Sequence, residues 1–132
     1  RIAKIVRDDL ASDERALLVR VRRELHRLLR ALAAGDRQAA AQALHPSSEW
    51  DAPRIEAAVR GYLAERGRLL AGGEARTAEH TTLRRDGPTL FSAWQTMVDP
   101  ERENDWAIEV GVDLGAGWDD ATPLIALRQI SS

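Results

Sequence analysis

Trp106-Ala107-Ile108-Glu109-Val110-Gly111-Val112-Asp113-Leu114 is the stretch on which the fold turns. Every second residue (Trp106, Ile108, Val110, Val112, Leu114) is apolar, and those between (Ala107, Glu109, Gly111, Asp113) are small or acidic. A period of two is that of a strand with one face on a core and the other toward water, which is the habit of an antiparallel sheet. Thr77 to Arg85 and Leu90 to Val98 read as strands before it and Leu124 to Ile130 as one after it. Asp86-Gly87 marks a hairpin turn, and Pro88, having no N–H to give a ladder, lengthens that loop.

Upstream of Gly73 the period changes to that of a helix. Leu18, Val21, Leu25, Leu28 and Leu32, widened by Leu17 and Leu29, form one apolar stripe, with Ser12 as the expected N-cap and Gly35 as the left-handed stop. Asp36 caps an Ala-rich helix that Pro46 prevents from continuing past about Leu44. Asp51 and Pro53 open a third, with Ile55, Val59, Tyr62, Leu63 and Leu70 on its apolar side and Gly72-Gly73 as its expected end. Ile2, Ile5, Val6 and Leu10 suggest an earlier helical turn, so residues 1–12 read as a linker or helix tail. The expectation is therefore an α+β fold: about three N-terminal helices packed on a curved, four-stranded, mainly antiparallel sheet. That order resembles the cone-shaped fold of nuclear-transport-factor-like and ketosteroid-isomerase-like proteins.

With 132 residues, 44% hydrophobic and 30% charged, the chain is the size and composition of one globular domain, and no apolar run suits a membrane span. It has no Cys, which excludes disulfides, thiolate metal sites and cysteine nucleophiles and makes the cytoplasm the expected compartment. Arg1 stands where a Met would open a gene and no signal segment follows, so the chain reads as excised from a longer protein. The net charge of −2 hides a segregation. Through Arg37 there are ten basic residues against six acidic, whereas from Asp99 to Asp120 eight acidic residues stand against Arg102 alone.

Chemistry-bearing motifs are scarce. His26, His45 and His80 lie too far apart for a paired metal motif, and there is neither a Walker-type phosphate loop nor a G-x-S-x-G elbow. No metal, cofactor or catalytic residue is expected. Tyr62, His80, Trp94 and Asp99 are the candidates for a pocket between helices and sheet. Against that, Tyr62 and Trp94 fall on apolar stripes where aromatic rings fill core, and Asp99 before Pro100 suits a strand-ending turn. Arg20, Arg23, Arg27 and Arg30 repeat the helical 3, 4, 3 step away from the leucines, with Arg22 and His26 as a shorter second row. Such a row suits either a nucleic-acid phosphate backbone or plain solvent and pairing with acids such as Glu24. Trp118, in the polar loop Gly117 to Asp120, is a candidate partner anchor, with packing over the sheet's end the favoured alternative.

Asp99-Pro100-Glu101, Asn104-Asp105-Trp106 and Val112-Asp113-Leu114, with Trp94-Gln95 before them, resemble the ending of the domain of unknown function appended to the C-terminus of bacterial DEAD/DEAH-box helicases. Arg22-Arg23-Glu24-Leu25-His26 and Trp50-Asp51 fit its earlier half, so the resemblance spans roughly residues 18–130, with Gly115 to Trp118 a departure. It implies a non-catalytic accessory domain beside a helicase core, assisting RNA, DNA or partner binding. The alternative is a free-standing cone-fold ligand binder or isomerase-like enzyme. With no nucleotide loop present, the purified chain should release no phosphate from ATP above buffer, and measurable turnover would overturn the accessory reading.

Overall fold

The computed structural model describes residues 10–132. The helical turn expected at Ile2, Ile5 and Val6 lies outside them, while Leu10–Ser12 form a 3-10 turn with Leu10 buried. Three α-helices follow among the described residues: α1 (Glu14–Ala34), α2 (Arg37–Gln42) and α3 (Ala52–Arg66). Four strands complete the chain: β1 (Thr81–Arg85), β2 (Leu90–Met97), β3 (Trp106–Asp113) and β4 (Ala126–Ser131). They form an open antiparallel meander in the order β1-β2-β3-β4, with the helices packed against it, an α+β arrangement.

Local chemistry sets most boundaries. Asp13, rather than the expected Ser12, caps α1, its carboxylate accepting the Ala16 N–H at 3.0 Å. Gly35, at φ 76°, ends the helix in the left-handed conformation, and the Asp36 N–H folds back to the Ala31 carbonyl at 3.0 Å. Asp36 at once caps α2 through the Ala39 N–H, and Asp51 caps α3 through that of Arg54. Helix α3 stops at Gly67 (φ 81°), not at Gly72-Gly73. Its stripe misleads at Leu70, whose N–H bonds the Val98 carbonyl at 2.9 Å as a strand residue would.

Strand β1 begins at Thr81, because two 3-10 turns, Glu74–Arg76 and Ala78–His80, occupy the residues before it. The Asp86 and Gly87 N–H groups both close on the Leu90 carbonyl, the widened hairpin that Pro88 demands. Across β2 and β3, Phe91 faces Val112, Ala93 faces Val110, Gln95 faces Ile108 and Met97 faces Trp106, so the period-two face becomes the core. Against it lie Leu17, Val21, Leu25 and Leu28 of α1 and Ile55, Val59 and Tyr62 of α3, all buried. Gln95 is tolerated there because its amide is satisfied: it donates to the Ala75 carbonyl at 3.1 Å and accepts from the Thr81 hydroxyl at 2.7 Å.

The long connection from β3 to β4 is tied back to α1 by two side chains, Arg20 and Glu24. Glu24 Oε1 accepts the N–H groups of Leu124 (2.7 Å) and Ile125 (3.2 Å), which is why the last strand starts at Ala126 rather than at Leu124. Its other oxygen accepts from Arg20 Nε at 2.9 Å. Both side chains are about nine-tenths covered, at 10% and 11% exposed. Removing the carboxylate leaves two backbone donors and a guanidinium without their acceptor, each loss costing about 1–3 kcal/mol. Glu24→Ala should therefore lower unfolding stability by about 3 kcal/mol in urea titration, and Glu24→Gln, which keeps Oε1, by clearly less. Equal losses in the two variants would show that packing, not the acceptor, matters.

Candidate nucleic-acid interface

Viewed down its axis, α1 has three sides. Leu17, Val21, Leu25, Leu28 and Leu32 enter the core; Arg20 and Glu24 turn toward the β3–β4 connection; Arg15, Val19, Arg23, Arg27 and Arg30 face outward and are exposed. Val19 in the midst of these cations is 62% exposed. None of Arg23, Arg27 and Arg30 makes an ion pair or hydrogen bond with a described residue. They span seven residue steps, about 10 Å of helix. Arg15 belongs to the same face, although its spacing kept it out of the row read from the sequence.

Arg20 leaves the row. Its guanidinium donates to the carbonyls of Asp119 (2.7 Å) and Thr122 (2.8 Å) as well as to Glu24, and lies 5.6 Å from the Trp118 ring. Buried, with Nε and Nη2 hydrogen-bonded, it holds a loop instead of facing a ligand. The spacing of 20, 23, 27 and 30 conceals this, because the covering segment lies about a hundred residues away.

On the other flank, Arg22 donates to the Arg76 carbonyl at 2.9 Å and draws the Glu74–Arg76 turn against the helix. His26 sits between them. Burial first, and then the guanidinium charges of Arg22, Arg76 and Arg30, hold its pKa below the usual histidine value. It therefore adds no charge to the outward face at neutral pH.

Of the four pocket candidates, Tyr62 and Asp99 lie close enough for the charge of one to act on the other, while Trp94 stands on the opposite face of the sheet. Tyr62 is buried, donates its hydroxyl to the Arg68 carbonyl at 2.9 Å, and meets Trp106 edge-on at 5.6 Å. Burial, then the charge of Asp99, pushes its pKa up to about 12, too high for a proton donor near neutrality. Trp94 pairs across from Glu109 on the opposite face of the sheet, donates its indole N–H to that carboxylate at 3.2 Å, and carries Arg84 over its ring. His80 ends a 3-10 turn beside β1. Asp99 is buried and accepts the N–H groups of Glu101, Glu103 and Asn104 at 3.1, 3.2 and 2.9 Å, so it organises a turn. Trp118 is half-buried and packs against the core cluster, with the loop's end held by Arg20. Among the described residues no group of three His, Asp or Glu side chains is placed to hold a metal, and no helix is long and apolar enough to cross a membrane.

Fold and face together define an α+β protein whose one long helix presents an unneutralised row of cations. The chain belongs to the family described as Domain of unknown function (DUF3516), whose model matches residues 3–130. No curated protein and no solved structure matches it.

Asp99 generates a pH dependence. Burial alone would push its carboxyl up, but the backbone N–H groups of Asn104, Glu103 and Glu101 outweigh burial and hold it below the ordinary carboxylate value. With the folded pKa below the unfolded one, its contribution is present above roughly pH 4 and is lost as pH falls through the folded value. Asp99→Asn should cost about 1–3 kcal/mol at pH 7 in urea titration. That difference should shrink at pH 3, and a gap unchanged between the two pH values would sink the assignment.

Proposed function

We propose that this chain is a non-catalytic accessory domain of a helicase-like protein and holds a single nucleic-acid strand along the outward face of α1. The observation that carries the reading is the row Arg23, Arg27 and Arg30, exposed and without a carboxylate partner among the described residues. Several guanidinium groups elsewhere are paired with acids, Arg37 with Glu56, Arg66 with Asp105, Arg84 with Asp86 and Arg102 with Glu74, and the exposed ones that are not, such as Arg60 and Arg68, are scattered and form no row. A chain that neutralises its arginines in so many places and leaves three adjacent ones open on one helix presents phosphate-binding charge there. The helicase parent is supported by the motifs from Asp99 to Leu114, which resemble the ending of a helicase-appended domain. A strand held here is positioned for a neighbouring motor while the domain itself does no bond chemistry.

Each phosphate contacted releases condensed counterions, so log affinity should fall linearly with log salt at a slope near −0.7 per contact on single strands. In fluorescence anisotropy with labelled oligonucleotides, Arg23→Glu with Arg27→Glu should weaken binding and flatten that slope by about 1.4, with the melting transition retained because both residues face away from the core. An unchanged slope in the double variant would return the row to ordinary solvated surface.

A further inference from the structure

Beside the loop that Arg20 holds, the β3–β4 connection borders a half-open cavity of about 640 Å³. Small-molecule sites run from about 300 to 1,000 Å³, so there is room for a heteroaromatic ring with its sugar. Leu90, Val112, Trp118 and Leu124 form the apolar walls, and His45 and Arg128 stand among the polar lining.

The polar groups define the occupant. The Ser47 backbone N–H donates to His45 Nδ1 at 3.0 Å, so the neutral ring carries its proton on Nε2, for which no described residue is an acceptor. Arg128 spends one amino group on the Ser92 hydroxyl and lies 3.7 Å from Glu109, leaving its other N–H groups without an acceptor among the described residues. Asp113 uses one oxygen on the Gly115 N–H at 3.0 Å and keeps the other. Asp113 and Asp119 in the same lining repel a bare anion. Two donors, one acceptor and an indole ring instead suit a neutral heterocycle with two carbonyl oxygens and one N–H on its edge, as in uracil.

Trp118 connects this cavity to the helix face, because it also borders a second hollow lined by Val19, Arg20 and Arg23. We propose that the cavity receives one unpaired nucleobase, stacked on Trp118 and held at its edge by His45 and Arg128. The inference rests on the reading that α1 holds a strand, and adds to it the contact that distinguishes a base from bare backbone. A free nucleotide presents the same edge, and the test separates the two sources.

Labelled decauridylate and an abasic ribose-phosphate strand of equal length are titrated at low salt against the chain, with uridine monophosphate as a separate ligand. Decauridylate should bind about tenfold more tightly than the abasic strand, the usual worth of one stacked base. His45→Ala and Arg128→Gln, placed on different elements and checked by thermal melts, should each bring the two strands within about threefold while leaving abasic binding unchanged. Equal binding of both strands by the unaltered protein overturns the base site and leaves the arginine reading standing. Failure of both strands to bind overturns both, and binding of uridine monophosphate alone gives the cavity to a free nucleotide. A base preference that survives in both variants places the contact elsewhere and overturns this assignment.

Discussion

A buried carboxylate and the guanidinium beside it join the first long helix to the approach of the last strand. Glu24 accepts two backbone N–H groups from the start of the last strand's approach and the Nε–H of Arg20, whose Nη2 donates to the carbonyls of Asp119 and Thr122. Burying two charges is costly, and the arrangement is tolerated because both carboxylate oxygens and the Nε and Nη2 donors are met, with Nη1 3.7 Å from the Asp120 carboxylate. Much else follows from it. The β3–β4 connection is pinned over one flank of α1, Trp118 is drawn against the core, and Arg20 is removed from the cationic side, which leaves that side to Arg23, Arg27 and Arg30.

The sheet face turned away from the helices is closed by a different device. Ser92, wholly buried although polar, donates to Asp86 and accepts from Arg128, while Glu109 accepts from Trp94 and Gln129. Arg128 lies across Gly111, where any side chain would collide with the guanidinium. Polar groups on this face bond one another from strand to strand, so a face bearing Trp94 of β2 and Ala107 of β3 stays water-compatible without a covering layer.

Legibility followed the range of the interaction that decides each feature. The alternation of residues 106–114 gave the third strand and its buried face, and the glycine at 35 with the aspartates at 36 and 51 gave helix limits, because periodicity and caps are local. Errors came where distant chain intervenes. Leu70 continues a helical stripe yet bridges Val98, and Leu124 alternates like a strand residue yet gives its N–H to a helix. The row of arginines was visible as a pattern, but nothing in the spacing separates Arg20, covered by a loop, from Arg23, covered by nothing. The cavity beside Trp118 was invisible for the same reason, since its lining is gathered from α2's far end, both central hairpins and a loop.

The Glu24 contacts to Leu124 and Ile125 close over 100 and 101 residues. During synthesis at roughly 5–20 residues per second, α1 therefore emerges about 5–20 s before the backbone groups that satisfy its buried acid exist. Throughout that interval the Arg20–Glu24 pair stays solvated, and the meander reaches the helix's leucine stripe one hairpin at a time. Closure of the molecule is thus a late event governed by the last strand, and a nascent chain stalled before residue 124 exposes its principal apolar helix to chaperones and proteases.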